Sequence, residues 1–212
     1  ALVRAMRAAR QNGGLTQSAA SQARPGCVTI MTVHRSKGLE FPVVFVAGTS
    51  HRFNNADTLS PVLFHRELGV GMTLRAPGGA SRYKTLPYAA LSQTIRTETL
   101  SEEMRILYVA LTRAQDALFI TLPLKDAAGA LKAPALYANA GMTGPEALQD
   151  FQSWSGWLLT AALRHPDSGA LWAKTDFLPS QGDSAAPLSI QVLDAPDALP
   201  EPEAPPPPAP DA

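Results

Sequence analysis

VTIMTVHRSKGLEFPVVFV, residues Val28 to Val46, is the stretch whose reading decides the fold of this chain. Val28–Thr32 is rich in β-branched residues and reads as a strand. His34 to Glu40 is polar and compact, with Gly38 inside it. Pro42 to Ala47 is an almost unbroken apolar run without alternation. That is the pattern of a strand buried on both faces, as in a parallel sheet covered by helices. The polar turn gathers Thr32, His34, Arg35, Ser36 and Lys37 at the carboxyl end of the first strand, where open α/β sheets bind ligands. Gly38 would let a phosphate or a neighbouring backbone come close. Glu40 is a carboxylate able to accept a hydrogen bond from a ribose hydroxyl. A plain surface connection with solvated charges has the same composition, and the residues alone leave both readings open.

A second stretch, SEEMRILYVALTRAQDALFI (Ser101 to Ile120), reads as an amphipathic helix running into a strand. The helical pattern extends from about Leu86 to Gln115, with Leu100, Met104, Leu107, Tyr108 and Leu111 on one face. Thr99 and Glu102 fit a capping box at which a helix could restart. Ala117 to Leu122 is another buried-strand run. Arg113 has two readings: a cation serving the carbonyls of a helix end, or an arginine finger neutralising charge on a transferring phosphoryl group. Glu102 and Arg105 are spaced for an i,i+3 pair, and Glu103 is a candidate partner for a neighbouring basic group. Strand, polar turn, strand, helix, strand is the rhythm of an open α/β sheet.

The 212 residues balance 18 basic against 18 acidic side chains, which argues against a strongly electropositive nucleic-acid binder but not against a groove shared with other domains. Cys27 is the single cysteine, so neither an internal disulfide nor a thiolate zinc cluster is available, and a reducing cytoplasmic compartment fits best. It reads as a small core residue before a strand. The longest apolar runs are too short to span a membrane. The four histidines are too scattered for a metal site, and His51 and His65 read as loop residues. Arg75, Arg82 and Lys84 read as a loose basic loop. Trp154 and Trp157, three apart on a helix, fit core packing better than base stacking.

Elsewhere, Ala1–Gln11 reads as a helix stopped by Asn12, Gly13 and Gly14, and Ser18–Gly26 as a loop. Thr49–Ala80 is loop-rich, with short β-like pieces near Val62–Phe64 and Val70–Leu74. Pro145–Leu163 reads as one amphipathic helix and Leu188–Leu193 as a short strand. From Ala195 the chain is a proline-rich linker or tail. No phosphate-binding G-x-x-x-x-G-K-[ST] loop is present, since the Gly pairs at 13–14 and 78–79 lack the following Lys-Ser or Lys-Thr, and no acidic Walker B strand end is recognised. An opening without an initiator methionine suggests a piece of something longer.

TVHRSKGLEFPVVFV resembles motif V, and EEMRILYVALTRAQDAL motif VI, of the UvrD, Rep and PcrA-type superfamily 1 DNA helicases. IMTVHRSKGLEFPVVFVAG, the following His51–Asn54 and TLPYAAL are similar to the AddA-type helicase–nuclease subunits of double-strand-break repair. The resemblance covers roughly Gly26–Thr121. It implies an α/β fold: a partial RecA-like domain 2A with a parallel sheet, followed by a helical and irregular extension. The divisions expected are 1–25 as the end of a preceding helical segment and loop, 26–125 as the C-terminal part of domain 2A with motifs V and VI, 126–194 as an extension of helix and short strand, and 195–212 as a proline-rich linker or tail.

In such helicases ATP sits between domains 1A and 2A. The resemblance therefore implies that Glu40 faces the nucleotide sugar, that Gly38 passes close to the nucleotide, that Arg113 reaches the γ-phosphate, and that Thr32 and His34 touch single-stranded DNA. It implies ATP with Mg²⁺ whose ligands lie outside this chain. The partners implied are DNA as single strands and duplex ends, the N-terminal helicase domains of a parent protein and an AddB-type subunit. The location implied is cytoplasmic and nucleoid-associated. The isolated chain is expected to be inactive, the exonuclease belonging to the parent. The competing readings are a non-catalytic helicase-like module that binds DNA or a partner, and an unrelated nucleotide-binding enzyme. Retention of Glu40 and Arg113 argues against the first, and the missing phosphate loop against the second.

Overall fold

A parallel ladder joins the two apolar runs that follow Glu40 and Arg113. In the computed structural model, which describes residues 27–76, 78–79, 81–141, 144–179 and 187–193, these become β1 (Phe41–Val46) and β5 (Ala114–Ile120). Between them lie β2 (Val62–His65), β3 (Gly69–Arg75), β4 (Arg82–Lys84) and α1 (Leu86–Leu111). After them come α2 (Ala127–Asn139), α3 (Pro145–Gln149), α4 (Trp154–Leu163) and α5 (Gly169–Trp172). A 3-10 turn at Val33–Ser36 precedes β1. The fold class is mixed α/β. Met31–Val192 form one compact unit. Of the other unit only Cys27–Ile30 and Leu193 are among the described residues, and they carry no regular structure. The readings of Ala1–Gln11, Ser18–Gly26 and the proline-rich end fall outside the described residues.

The ladder is irregular at one point, and Pro42 explains it. Phe41 lies opposite Ala114 but Val43 lies opposite Ala117, so β5 carries one extra residue there. Pro42 has no N–H to give to the ladder, and a bulge is where a sheet accommodates such a residue. The expectation that this sheet is buried on both faces is corrected. Phe45 is 66% exposed and Phe119 49% exposed, and their rings stack on one another with centroids 4.6 Å apart. Two strands alone leave a sheet face that no described element covers. The expected strand Val28–Thr32 is also absent: β propensity without a paired neighbour does not make a strand, and none of the described strands pairs with this segment. Cys27 is exposed rather than in a core.

The stretch between β1 and α1 is a three-stranded antiparallel sheet in the order β2-β3-β4. Its first two strands lie where short β pieces are expected. Leu63 and Gly71 turn towards α1 and meet Tyr88, with Leu91 and Ile95 completing the cluster. Gly71 is needed there, because a Cβ on it would stand 2.7 Å from the Tyr88 backbone. The other face presents Val62, Phe64, Val70, Met72, Leu74 and Tyr83, all exposed. β3 and β4 are joined by a tight turn containing Gly78 and Gly79, both at positive φ, closed by the Ala76 N–H donating to the Ser81 carbonyl at 2.9 Å. Arg75, Arg82 and Lys84 are therefore strand residues, not a loose loop. His65 ends β2 rather than lying in a loop. Its Nδ1 accepts the Glu67 and Leu68 N–H groups, each at 3.2 Å, so the proton sits on Nε2 and is donated to Glu98 at 3.1 Å.

α1 runs uninterrupted for 26 residues from a Thr85 cap, with a proline in its first turn. The restart expected at Thr99 does not occur, because the Thr99 hydroxyl donates to the Ile95 carbonyl at 2.9 Å within the helix. Leu107 is buried, with Leu100, Met104 and Leu111 packed around the Phe53–Phe151–Trp157 cluster, while Tyr108 on the same expected face is exposed. Glu102 and Arg105 form the expected pair. Glu103 accepts a bond from the Trp154 indole N–H at 3.0 Å rather than holding a cation.

The helix expected over Pro145–Leu163 is broken into α3 and α4. Residues 150–153 are taken by tertiary contacts: Phe151 is buried, and the Gln152 carbonyl accepts the Phe53 N–H at 2.7 Å. The Ser155 N–H donates to the Thr49 carbonyl at 2.9 Å, tying α4 to the end of β1. α2, α4 and α5 share a second core of Leu131, Ala135, Leu159, Leu163 and Trp172. Of the two tryptophans expected in a core, Trp157 is buried and Trp154 is partly buried against the same cluster. Residues 188–193, read as a strand, are irregular. Among the described residues no helix is long and apolar enough to cross a membrane.

Candidate nucleotide site at the amino ends of β1 and β5

The carboxyl ends of the parallel pair are tied together by side-chain hydrogen bonds. Buried Thr49 donates from Oγ1 to the Thr121 carbonyl at 2.8 Å, and Ser50 donates to the Pro123 carbonyl at 2.8 Å. Gly38, Glu40 and Arg113 lie at the opposite, amino ends of both strands. The expectation of a site at the carboxyl end of the first strand therefore changes, because it rested on the strand Val28–Thr32 that does not form.

Three hydrogen bonds bring the two sequence segments together at this end. The Phe41 N–H donates to the Arg113 carbonyl at 3.0 Å. Arg113 Nη1 donates to the Leu39 carbonyl at 3.0 Å. Gln115 Nε2 donates to Glu40 Oε2 at 3.1 Å. The geometry follows from local sequence. α1 ends at Leu111, the Thr112 N–H closes its last turn on the Tyr108 carbonyl at 3.1 Å, and β5 begins two residues later. Arg113 thus stands at the junction of helix and strand, level with the residue that begins β1.

The guanidinium meets the helix as well. Arg113 Nε donates to the Val109 carbonyl at 2.9 Å and Nη2 to the Thr112 hydroxyl at 3.0 Å. Both readings of this residue thus have a footing: it serves a helix-end carbonyl, and one N–H on each terminal nitrogen takes no acceptor among the described residues. A guanidinium held by three bonds with two donors to spare is fixed in direction, which is what stabilising a developing anion demands.

Upstream, the turn is held by its own bonds. Arg35 and Ser36 N–H groups donate to the Thr32 carbonyl at 3.0 and 3.3 Å, and buried Ser36 donates from Oγ to the Val33 carbonyl at 2.8 Å. Gly38 has φ +81°, a conformation that disfavours any side chain, and nothing lies within 4 Å of where a Cβ would stand. Space for a ligand beside it is open. Thr32 and His34 are exposed at the far end of the turn, and no described hydrogen bond joins either side chain to Glu40 or Arg113. Gln115, Thr112 and the Leu39 carbonyl were not singled out in the sequence; Pro42 inside an apolar strand was the available signal of an irregular, re-aimed neighbour.

Exposed Glu40, open Gly38 and the spare donors of Arg113 suit a sugar hydroxyl and a phosphate. They do not suit Mg²⁺ by themselves: the described residues contain no group of three or more His, Cys, Asp or Glu that could hold a metal ion. The family model described as the UvrD-like helicase C-terminal domain matches residues 10–125, more than half of the chain. The chain belongs to the UvrD-like helicase C-terminal domain family. As a UvrD-like C-terminal domain, its β1–β5 pair with α1 crossing between them is part of a RecA-like sheet.

Curated relatives are each named as the A-subunit of an ATP-dependent helicase/nuclease. The chain is 40% identical over 171 residues to that of Desulforamulus reducens, covering 78% of this chain and 14% of the relative. It is 41% identical over 143 residues to that of Ruminiclostridium cellulolyticum, covering 66% and 12%. With that of Lactiplantibacillus plantarum it shares 35% identity over 178 residues, covering 82% and 14%. The UvrD-like chain thus spans about a seventh of the length of these relatives.

Proposed function

We propose that this chain is part of the 2A motor domain of an ATP-dependent DNA helicase, within a helicase–exonuclease subunit of the AddA type acting in double-strand-break repair and recombination. The observation that carries the reading is the junction at the amino ends of β1 and β5, where the Glu40 carboxylate and the Arg113 guanidinium belong to two segments joined by hydrogen bonds. The divisions that go with it are residues 1–25 as the end of a preceding segment and loop, 26–125 as the C-terminal part of domain 2A, 126–194 as an extension and 195–212 as a linker or tail.

ATP, bound with Mg²⁺ whose ligands belong to other parts of the parent, supplies the phosphoanhydride whose hydrolysis drives translocation and unwinding. This chain's residues do the following. Glu40 accepts a hydrogen bond from the nucleotide sugar. Gly38 lets the turn run beside the nucleotide. Arg113 offers its spare N–H groups to the γ-phosphate, where charge grows in the transition state. Thr32 and His34, at the other end of the same short turn, contact the single strand, so a shift of the turn at Glu40 is felt at the DNA. The partners of this reading are single-stranded DNA and duplex ends, the N-terminal helicase domains and an AddB-type subunit, in the cytoplasm at the nucleoid.

Arg113→Ala in the full-length protein is the test. It should lower DNA-stimulated ATP hydrolysis by about a thousandfold while nucleotide binding is largely kept. The bonds of Arg113 to Val109 and Leu39 favour a second reading, a helicase-like module in which the arginine only fastens β5 to the turn. Under that reading Arg113→Ala lowers the melting temperature and leaves ATP turnover per folded molecule unchanged.

A further inference from the structure

We infer that Gln115 is a positioning residue that aims the Glu40 carboxylate; the inference rests on Glu40 meeting the nucleotide sugar. Pro42 is the origin of the arrangement. Because that residue gives no N–H to the ladder, β5 accommodates an extra residue between Ala114 and Ala117, and Gln115 lies within this irregular step. A bulge turns a side chain away from the regular alternation, and here the Gln115 amide reaches back past the end of β1 to donate to Glu40 Oε2 at 3.1 Å.

Both side chains are exposed, so the bond adds little to folding. Its use is directional. A free glutamate samples many rotamers, and any ligand that needs one of them must bear the ordering entropy. An amide on a strand fixes one carboxylate oxygen and leaves the remaining lone pairs for a hydroxyl donor. The residue also ties the carboxylate to the strand that begins one position after Arg113, so the sugar contact and the phosphate contact move as one body.

The experiment uses the full-length protein and measures KM for ATP and kcat for DNA-stimulated hydrolysis, with 2′-deoxy-ATP and 3′-deoxy-ATP as probes of the sugar contact. Gln115→Leu should raise KM for ATP about three- to fivefold with kcat unchanged. It should also narrow the discrimination against the deoxynucleotide that lacks the contacted hydroxyl. Gln115→Arg, which keeps an N–H donor of sufficient reach, should restore both values, and Gln115→Glu, which sets a like charge against Glu40, should raise KM further. Glu40→Ala should raise KM about tenfold, and Gln115→Leu should add nothing on that background.

A Glu40→Ala effect with no effect of Gln115→Leu overturns the positioning role and leaves the sugar reading intact. An equal effect of Gln115→Leu with or without Glu40 also overturns it. An unchanged KM in Glu40→Ala overturns the sugar reading itself. Melting temperatures measured on each variant separate any of these outcomes from loss of fold.

Discussion

Arg113 joins three parts of the molecule through one planar group: a carbonyl in the last turn of α1, the hydroxyl of Thr112 and the carbonyl of Leu39 in the turn before β1. Lysine has neither the fork nor the fixed plane to hold these directions at once, so the position discriminates sharply between two cations of the same charge. A different side chain of the extension is tuned by a single neighbour. The Tyr137 hydroxyl donates to Asp150, and the carboxylate that accepts this bond holds the phenol above its ordinary value of 10.0. A raised value in the folded chain means that the protonated phenol is favoured by folding. Its contribution to stability is complete below the ordinary tyrosine range and is lost as pH rises through the folded value. Tyr137→Phe should therefore flatten the alkaline fall in stability that sets in at the ordinary tyrosine range and continues above it, read by denaturant unfolding at each pH, with no change in the acid limb from this group.

At the scale of elements, the inserted sheet depends on how closely β3 lies on α1. Gly71→Val should cost about 1–3 kcal/mol, because the obstruction is the backbone of Tyr88 and cannot rotate away. Thermal unfolding of the variant against the parent measures it, and an unchanged midpoint would mean that the hairpin does not seat as described. The elements that the sequence made legible are those coded by short contiguous runs: β1 and β5 by apolar stretches, α1 by its 3.6-residue pattern, the β2–β3 hairpin by its brief β-like pieces. Those it concealed depend on partners far along the chain. The gap between α3 and α4 comes from Phe53 and Thr49 claiming backbone groups near residues 152–155. Val28–Thr32 has strand propensity but no ladder neighbour. At the candidate site, Glu40 and Arg113 were singled out in the sequence, and the structure joins their two segments by hydrogen bonds. Gln115 was not, since its direction is set by an irregularity across two strands rather than by its own neighbours in sequence.

As a whole molecule, the described unit presents two uncovered apolar surfaces, the Phe45–Phe119 face of the parallel pair and the outer face of the inserted sheet. On the proposed reading it also supplies one wall of a nucleotide site, and the sequence has no phosphate-binding loop. The purified chain by itself should accordingly show no DNA-stimulated ATP hydrolysis above background in a phosphate-release assay. Turnover that copurifies with the chain and is abolished by Arg113→Ala would overturn this division of labour.

The glycine turn between β3 and β4 has a practical side. Its ends are clasped by the Ala76–Ser81 bond, and neither Gly78 nor Gly79 has an atom within 4 Å of the space a side chain would occupy. Such a tip is a natural graft point for a fluorescent reporter or an epitope: cargo attached there would ride on a hairpin whose anchorage is α1.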